Sequence, residues 1–70
     1  MNKETDFCIY LLEKYSEYKN ISTTDVLNTL DELGLTDFIY NMYERYHCEA
    51  IENAFKDIDD LIEEKKQENN

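Results

Sequence analysis

The chain has no proline and a single glycine, Gly34, among its 70 residues. Short β-strands need frequent turn residues, and proline and glycine are the strongest of these, so their scarcity favours helices. At this length folding buries only roughly 60% of the surface that the unfolded chain exposes. We therefore expect one all-α domain over residues 1–70, with a small core and a frayed tail from about residue 66.

Cap residues and apolar periodicity divide the chain into helices. Ser22, followed by Asp25 three residues later, resembles a capping box. Gly34 follows the last apolar turn of that helix and is suited to the left-handed conformation that ends a helix, while Thr36 is predicted to cap the next one. The predicted fold is a compact bundle of four short helices, at about 4–19, 22–33, 36–46 and 49–65.

A break is predicted at His47 and Cys48, although neither proline nor glycine marks it. If the third helix continued straight into the last one, the apolar stripe of the last helix would lie about 140° around the helix axis from the apolar stripe of the third helix. One straight helix could not bury both stripes in a single small core. We therefore predict that one helix ends here and another begins.

Each predicted helix has one apolar face that we assign to the core. These faces contain Phe7, Cys8, Leu11, Leu12, Tyr15, Tyr18, Val26, Leu27, Leu30, Leu33, Phe38, Ile39, Met42, Tyr46, Ile51, Ala54, Phe55, Ile58, Leu61 and Ile62. Ile9, Tyr10 and Tyr40 fall outside the faces, and Tyr43 lies on a flank. Because tyrosine is enriched in protein interfaces, these four are predicted partner-binding residues. Scattered exposed apolar residues are also normal, which is the alternative interpretation.

The chain is strongly acidic, with 17 Asp and Glu against 7 Lys and Arg and a formal net charge of −10. Nucleic-acid phosphates and anionic membranes would be repelled, so neither is an expected direct partner. A larger, basic protein surface fits the charge better. The last helix has an acidic outer face that is either solvated or used by such a partner: Glu49, Glu52, Asp59, Asp60 and Glu63.

The sequence contains few residues in arrangements that are typical of catalytic or metal sites. The only histidine, His47, precedes Cys48, but no third group or glycine-rich loop is apparent, so we predict no catalytic residues and no enzyme. No ligand spacing typical of zinc or calcium sites occurs, so no metal or cofactor is expected. The opening MNKETDF lacks the apolar stretch of a signal peptide, which predicts a cytoplasmic protein with reduced Cys8 and Cys48.

The run from residue 7 to residue 62, with EKYSEYKNIS, LGLTDFI, YERYH and DIDDLI as its most specific pieces, resembles a family of short bacterial proteins catalogued as a domain of unknown function. In that family a small or glycine-containing turn often follows the histidine, whereas this chain has CEAI. Members are often encoded beside larger proteins that look like ADP-ribosyltransferase-type toxins. The resemblance thus implies an antitoxin-like role and supplies no catalytic residues.

Three functions follow as hypotheses. The first is a protein-interaction module that neutralises or regulates a larger partner. The second is an acidic mimic of nucleic acid that blocks a DNA- or RNA-binding protein, because its carboxylates could imitate phosphates. The third is a structural domain that self-associates as a homodimer through its first helix, since a short chain gains core by oligomerising.

Overall fold

A computed structural model describes residues 2–68 of the chain. These residues form helices and connecting turns, with no strand among them, which confirms the all-α class. The helices are α1 Lys3–Lys19, α2 Thr23–Glu32, α3 Thr36–Tyr40, α4 Tyr43–Tyr46 and α5 Ile51–Glu68. The tail predicted from about residue 66 is helical as far as Glu68, and its last two residues lie outside the described part.

The segment predicted as one helix over 36–46 is divided into α3 and α4. Asn41 and Met42 form a turn between them, and the Met42 amide donates to the Ile39 carbonyl at 3.1 Å, a tighter turn than in an α-helix. The apolar phase does not require this turn. It allows Tyr40 and Tyr43, on successive short helices, both to reach the first two turns of α1, so tertiary contacts override the local pattern.

The predicted ends of α2 are confirmed. The Ser22 hydroxyl accepts from the Asp25 amide at 3.0 Å, as an N-cap does. At the other end Gly34 has φ +71°, its amide donates to Asp31 at 3.1 Å, and the Leu35 amide donates to the Leu30 carbonyl at 2.8 Å. This pair of bonds is a Schellman motif.

Thr36 does not cap α3, so that prediction is wrong. Leu35 occupies the N-cap position without a side-chain cap, because the preceding Schellman turn leads directly into α3. The Thr36 hydroxyl instead donates to the carboxylate of Asp31 on α2. The bond therefore ties the two helices together across the turn at Gly34.

The break predicted at His47 and Cys48 is confirmed. Helix α4 ends at Tyr46, His47 and Cys48 form a turn followed by a bend at Glu49, and α5 begins at Ile51. The break separates two buried faces that one straight helix could not share, which are marked by Tyr46 before it and by Ala54 and Ile58 after it.

Within the described part of the chain eleven apolar side chains form the core, and all of them belong to the predicted faces except Leu35. The core consists of Leu11, Leu12, Tyr15, Val26, Leu30, Leu35, Ile39, Tyr46, Ala54, Phe55 and Ile58. Tyr18, Leu27 and Phe38 belong to the predicted faces but are exposed, since the neighbouring helices leave much of each side chain uncovered. Within residues 2–68 no helix has the length and apolar character that a membrane crossing requires.

Two buried tyrosines place their hydroxyls beside aspartates of α5. Tyr15 donates a hydrogen bond to Asp59, and burial together with that carboxylate raises the pKa of Tyr15. Burial, assisted by the negative charge of Asp57, raises the pKa of Tyr46 to about 12. In both cases the folded chain favours the neutral phenol over the phenolate.

The folded chain should therefore lose stability above pH 10. An acid whose folded pKa exceeds its unfolded value contributes stability that is fully present below the unfolded value, about 10 for tyrosine, and is lost as the pH rises through the folded value. Each tyrosine adds up to about 1.4 kcal/mol per pH unit to the slope. Urea unfolding between pH 9 and 12 should give a shallower slope for Tyr46→Phe, whereas exposed Tyr10→Phe is the control. Equal slopes in wild type and Tyr46→Phe would contradict this account.

Candidate interaction surface

His47 is oriented by a group that sequence analysis did not find. Its Nδ1 lies 2.6 Å from the Tyr43 carbonyl, and its ring stacks on the Tyr43 ring at 4.1 Å. Since a carbonyl can only accept, Nδ1 carries the proton and donates. The expectation that no third group orients this histidine is thus wrong, because residue 43 is one helical turn earlier, where its backbone reaches the ring.

Cys48 lies beside this ring with its thiol exposed. Its Sγ is 3.6 Å from Nε2 and 3.8 Å from Nδ1 of His47. These nearly equal distances place the sulfur between the two nitrogens rather than along one lone pair, so the contact lacks the alignment that proton transfer needs. Cys8 is half-buried, and burial raises the pKa of its thiol. Among residues 2–68 no three His, Cys, Asp or Glu side chains are grouped as metal ligands.

Of the four predicted apolar contact residues, two are exposed. Ile9 is 43% exposed and Tyr10 is 50% exposed, and as neighbours on α1 they point about 100° apart. Lys14 places its ammonium group 5.8 Å from the centre of the Tyr10 ring. The two residues therefore do not form one apolar patch.

Tyr40 and Tyr43 are half-buried, and each contacts α1 of the same chain. The Tyr40 hydroxyl lies 3.0 Å from the Thr5 hydroxyl on α1. The Tyr43 ring packs edge-on against Phe7 at 5.6 Å and stacks on His47. Both tyrosines thus hold α3 and α4 against α1, which leaves less of their surface for a partner.

The acidic face predicted on the last helix is partly neutralised within the chain, and Glu49 lies in the bend before α5 rather than on it. Asp59 is half-buried and points toward α1, where Tyr15 donates to it and Lys19 pairs with it at 3.2 Å. Glu49 pairs with Arg45 at 3.4 Å. Lys56 pairs with Asp60 at 3.0 Å. Glu52 and Glu63 are exposed.

Four exposed apolar side chains were not among the predicted contact residues: Tyr18, Ile21, Leu27 and Phe38. Tyr18 stacks on Phe55 at 4.9 Å, so part of its ring already has a partner. Leu27 and Phe38 are 39% and 49% exposed, although apolar phase assigned both to the core. The phase marks the side of a helix that is apolar, whereas burial depends on how far the neighbouring helices extend over it.

Residues 20–44 form the longest segment of the chain without a basic residue. They contain no Lys, Arg or His and five carboxylates, Asp25, Asp31, Glu32, Asp37 and Glu44. None of the five forms an ion pair with a base of the described part. The net charge of the whole chain does not reveal this segment. The net charge of successive short stretches of the sequence would.

Leu27, Asp31, Thr36, Asp37 and Phe38 make up what we name the α2–α3 surface. Leu27 and Asp31 are one turn apart on α2 and share a side of that helix. Asp31, Gly34, Thr36 and Asp37 line a cleft of about 220 Å³ where α2 meets α3. Phe38 follows Asp37 on α3 and points about 100° away from it, so each of the two helices contributes one exposed apolar side chain that lies outside the lining of the acidic cleft.

The family profile described as "Protein of unknown function (DUF3791)" matches residues 6–65. No curated protein and no solved structure matches the chain significantly. The match starts within the first turns of α1 and ends in the second half of α5, so it takes in all five helices. This chain belongs to the DUF3791 family.

Proposed function

We propose that the chain is a small protein-interaction module, an antitoxin-like or regulatory partner of a larger protein. The observation that carries the proposal is the amount of apolar surface that folding leaves uncovered. Among the residues that the structure describes, six large apolar side chains are exposed, against eleven apolar residues in the core. Larger exposed apolar patches, especially those rimmed by charge, are typical of surfaces that bind proteins. The module acts by binding, without catalysis, and we place it in the cytoplasm.

Co-expression with the product of the neighbouring gene tests the proposal. The two proteins should elute together in size-exclusion chromatography at micromolar concentrations, and the chain should relieve any toxicity of that product. Separate elution with no relief of toxicity would contradict it. The same experiment with an unrelated acidic helical protein of similar size controls for non-specific charge effects.

Mimicry of nucleic acid is the second candidate function. The base-free segment over 20–44 favours it, because unpaired carboxylates could occupy a phosphate-binding surface. Such binding should weaken steeply as salt is raised and should compete with DNA or RNA. Binding that survives high salt and ignores competing nucleic acid would exclude mimicry, as would binding that is unchanged by reversing the charges of Glu49, Glu52, Asp31 and Asp37.

Self-association as a homodimer is the third candidate, supported by the exposed Ile9 and Tyr10 on α1. Sedimentation of the purified chain at high concentration distinguishes it from the first candidate. A dimer that dissociates on Tyr10→Ser would support self-association, and a monomer throughout would exclude it.

A further inference from the structure

We infer that the partner presents a basic amphipathic helix and that this helix docks on the α2–α3 surface. The inference rests on the proposed function and names the surface and the partner's chemistry. An amphipathic helix inserts apolar side chains one or two turns apart and places its charged side chains around them. The α2–α3 surface offers an acidic and apolar counterpart on two helices.

The apolar part of the surface is built on rigid supports. Leu27 lies between Val26 and Leu30 in the sequence of α2, and Phe38 directly precedes Ile39 on α3, while Val26, Leu30 and Ile39 are all buried. The backbone under both exposed side chains is therefore fixed by the core. Rigid apolar anchors lose little conformational entropy on binding, so they favour affinity.

The carboxylates of the surface form no ion pair with a base of the described part of the chain. Asp31 accepts from the Thr36 hydroxyl, which brings no positive charge, and Asp37 also lacks an ion pair with a described base. On α5, by contrast, Arg45, Lys19 and Lys56 already pair with Asp57, Asp59 and Asp60, which leaves Glu52, Glu63 and Glu64 without an ion pair to a described base. A basic partner gains more at unpaired carboxylates than at paired ones, which favours α2–α3 over α5.

The same charge argues against a second copy of this chain as the occupant. Each copy has a net charge of −10, and its residues 20–44 contain five acids and no base. Two such surfaces brought together would repel each other, because like charges face across the contact. An occupant with lysine and arginine around apolar side chains removes that repulsion.

The test uses a synthetic 18-residue helical peptide with leucine at positions i, i+3, i+4 and i+7, a few lysine and arginine residues flanking them, and alanine and glutamine at the remaining positions. Titration into the ¹⁵N-labelled chain should shift the amide signals of Leu27, Asp31, Gly34 and Phe38 most. The double variant Leu27→Ser and Phe38→Ser should bind the peptide at least about tenfold more weakly, as expected when central apolar anchors are removed.

Matched controls separate this surface from general acidity. Tyr10→Ser removes an equally exposed apolar side chain elsewhere, and Glu49→Gln with Glu52→Gln removes acids at the start of α5 and in the bend before it. Both changes should leave the affinity within about twofold. A peptide of the same composition in scrambled order should bind at least about tenfold more weakly. The inference is overturned if the shifts concentrate on α5, if the scrambled peptide binds equally, or if the double variant retains full affinity.

Failure of this inference is distinguishable from failure of the proposed function. A complex with the neighbouring gene product that persists unchanged in the double variant overturns the inference and leaves the proposed function intact. Peptide binding that maps to the α2–α3 surface while no such complex forms supports the inference and removes the antitoxin-like role. Circular dichroism of each variant confirms that a lost signal is not lost folding.

Discussion

Leu30→Ala is expected to lower the free energy of unfolding by about 3 kcal/mol, the loss typical of a fully buried leucine. Leu30 is fully buried at the centre of the core, and its carbonyl also accepts the amide that closes the Schellman motif. A domain of this size has a total stability of roughly 4–10 kcal/mol, so the loss would remove about a third to three quarters of it. Urea unfolding followed by circular dichroism measures the change.

Leu27→Ala is the matched control for this substitution, because it removes the same atoms from the same helix. Leu27 is 39% exposed, so its truncation leaves a much smaller cavity and should cost only about 0.5 kcal/mol. Losses of similar size from the two variants would mean that the core is not centred where α2 faces α1. The comparison therefore tests the assignment of buried and exposed sides on α2.

Gly34→Val is expected to cost roughly 2 kcal/mol and to lower the melting temperature by about 8–16 °C. Gly34 has φ +71°, a conformation that β-branched residues avoid. A Cβ at this position would have no neighbouring atom within 4 Å, so crowding adds nothing and the cost comes from the backbone alone. Thermal unfolding by circular dichroism or calorimetry measures the shift.

Gly34→Asn controls for the loss of glycine itself. Asparagine adopts the left-handed conformation more readily than other residues with a side chain, and this chain already places Asn20 there, with φ 58°, at the end of α1. The asparagine variant should lose less than half as much stability as the valine variant. Equal losses would show that chain flexibility, rather than the left-handed turn, determines the effect.

Local signals predicted the parts of the fold that depend on neighbouring residues. Ser22 and Gly34 marked the ends of α2 correctly, because capping involves atoms within a few positions along the chain. The break after Tyr46 followed from the phase of two apolar stripes. The turn at Met42 was missed because it depends on contacts with α1, which no local pattern records.

The candidate surface was harder to predict than the fold. Helical phase correctly left Ile9 and Tyr10 outside the core, but it buried Leu27 and Phe38, which are exposed. It also treated Asp59 as an outward-facing acid, whereas Tyr15 and Lys19 reach it from α1. Whether a flanking residue is covered depends on the crossing of two helices. Ion pairs between α1 and α5 depend on the same crossing, which a single sequence does not specify.

The most direct test of the account measures the dissociation constant of the complex with the neighbouring gene product by calorimetry. Wild type, the Leu27→Ser and Phe38→Ser double variant, and the Tyr10→Ser control should be titrated under the same conditions at two salt concentrations. We predict micromolar or tighter binding by wild type and by the control, weakened at least about tenfold in the double variant and further by salt. No binding by wild type, at protein concentrations of tens of micromolar and low salt, would contradict the account.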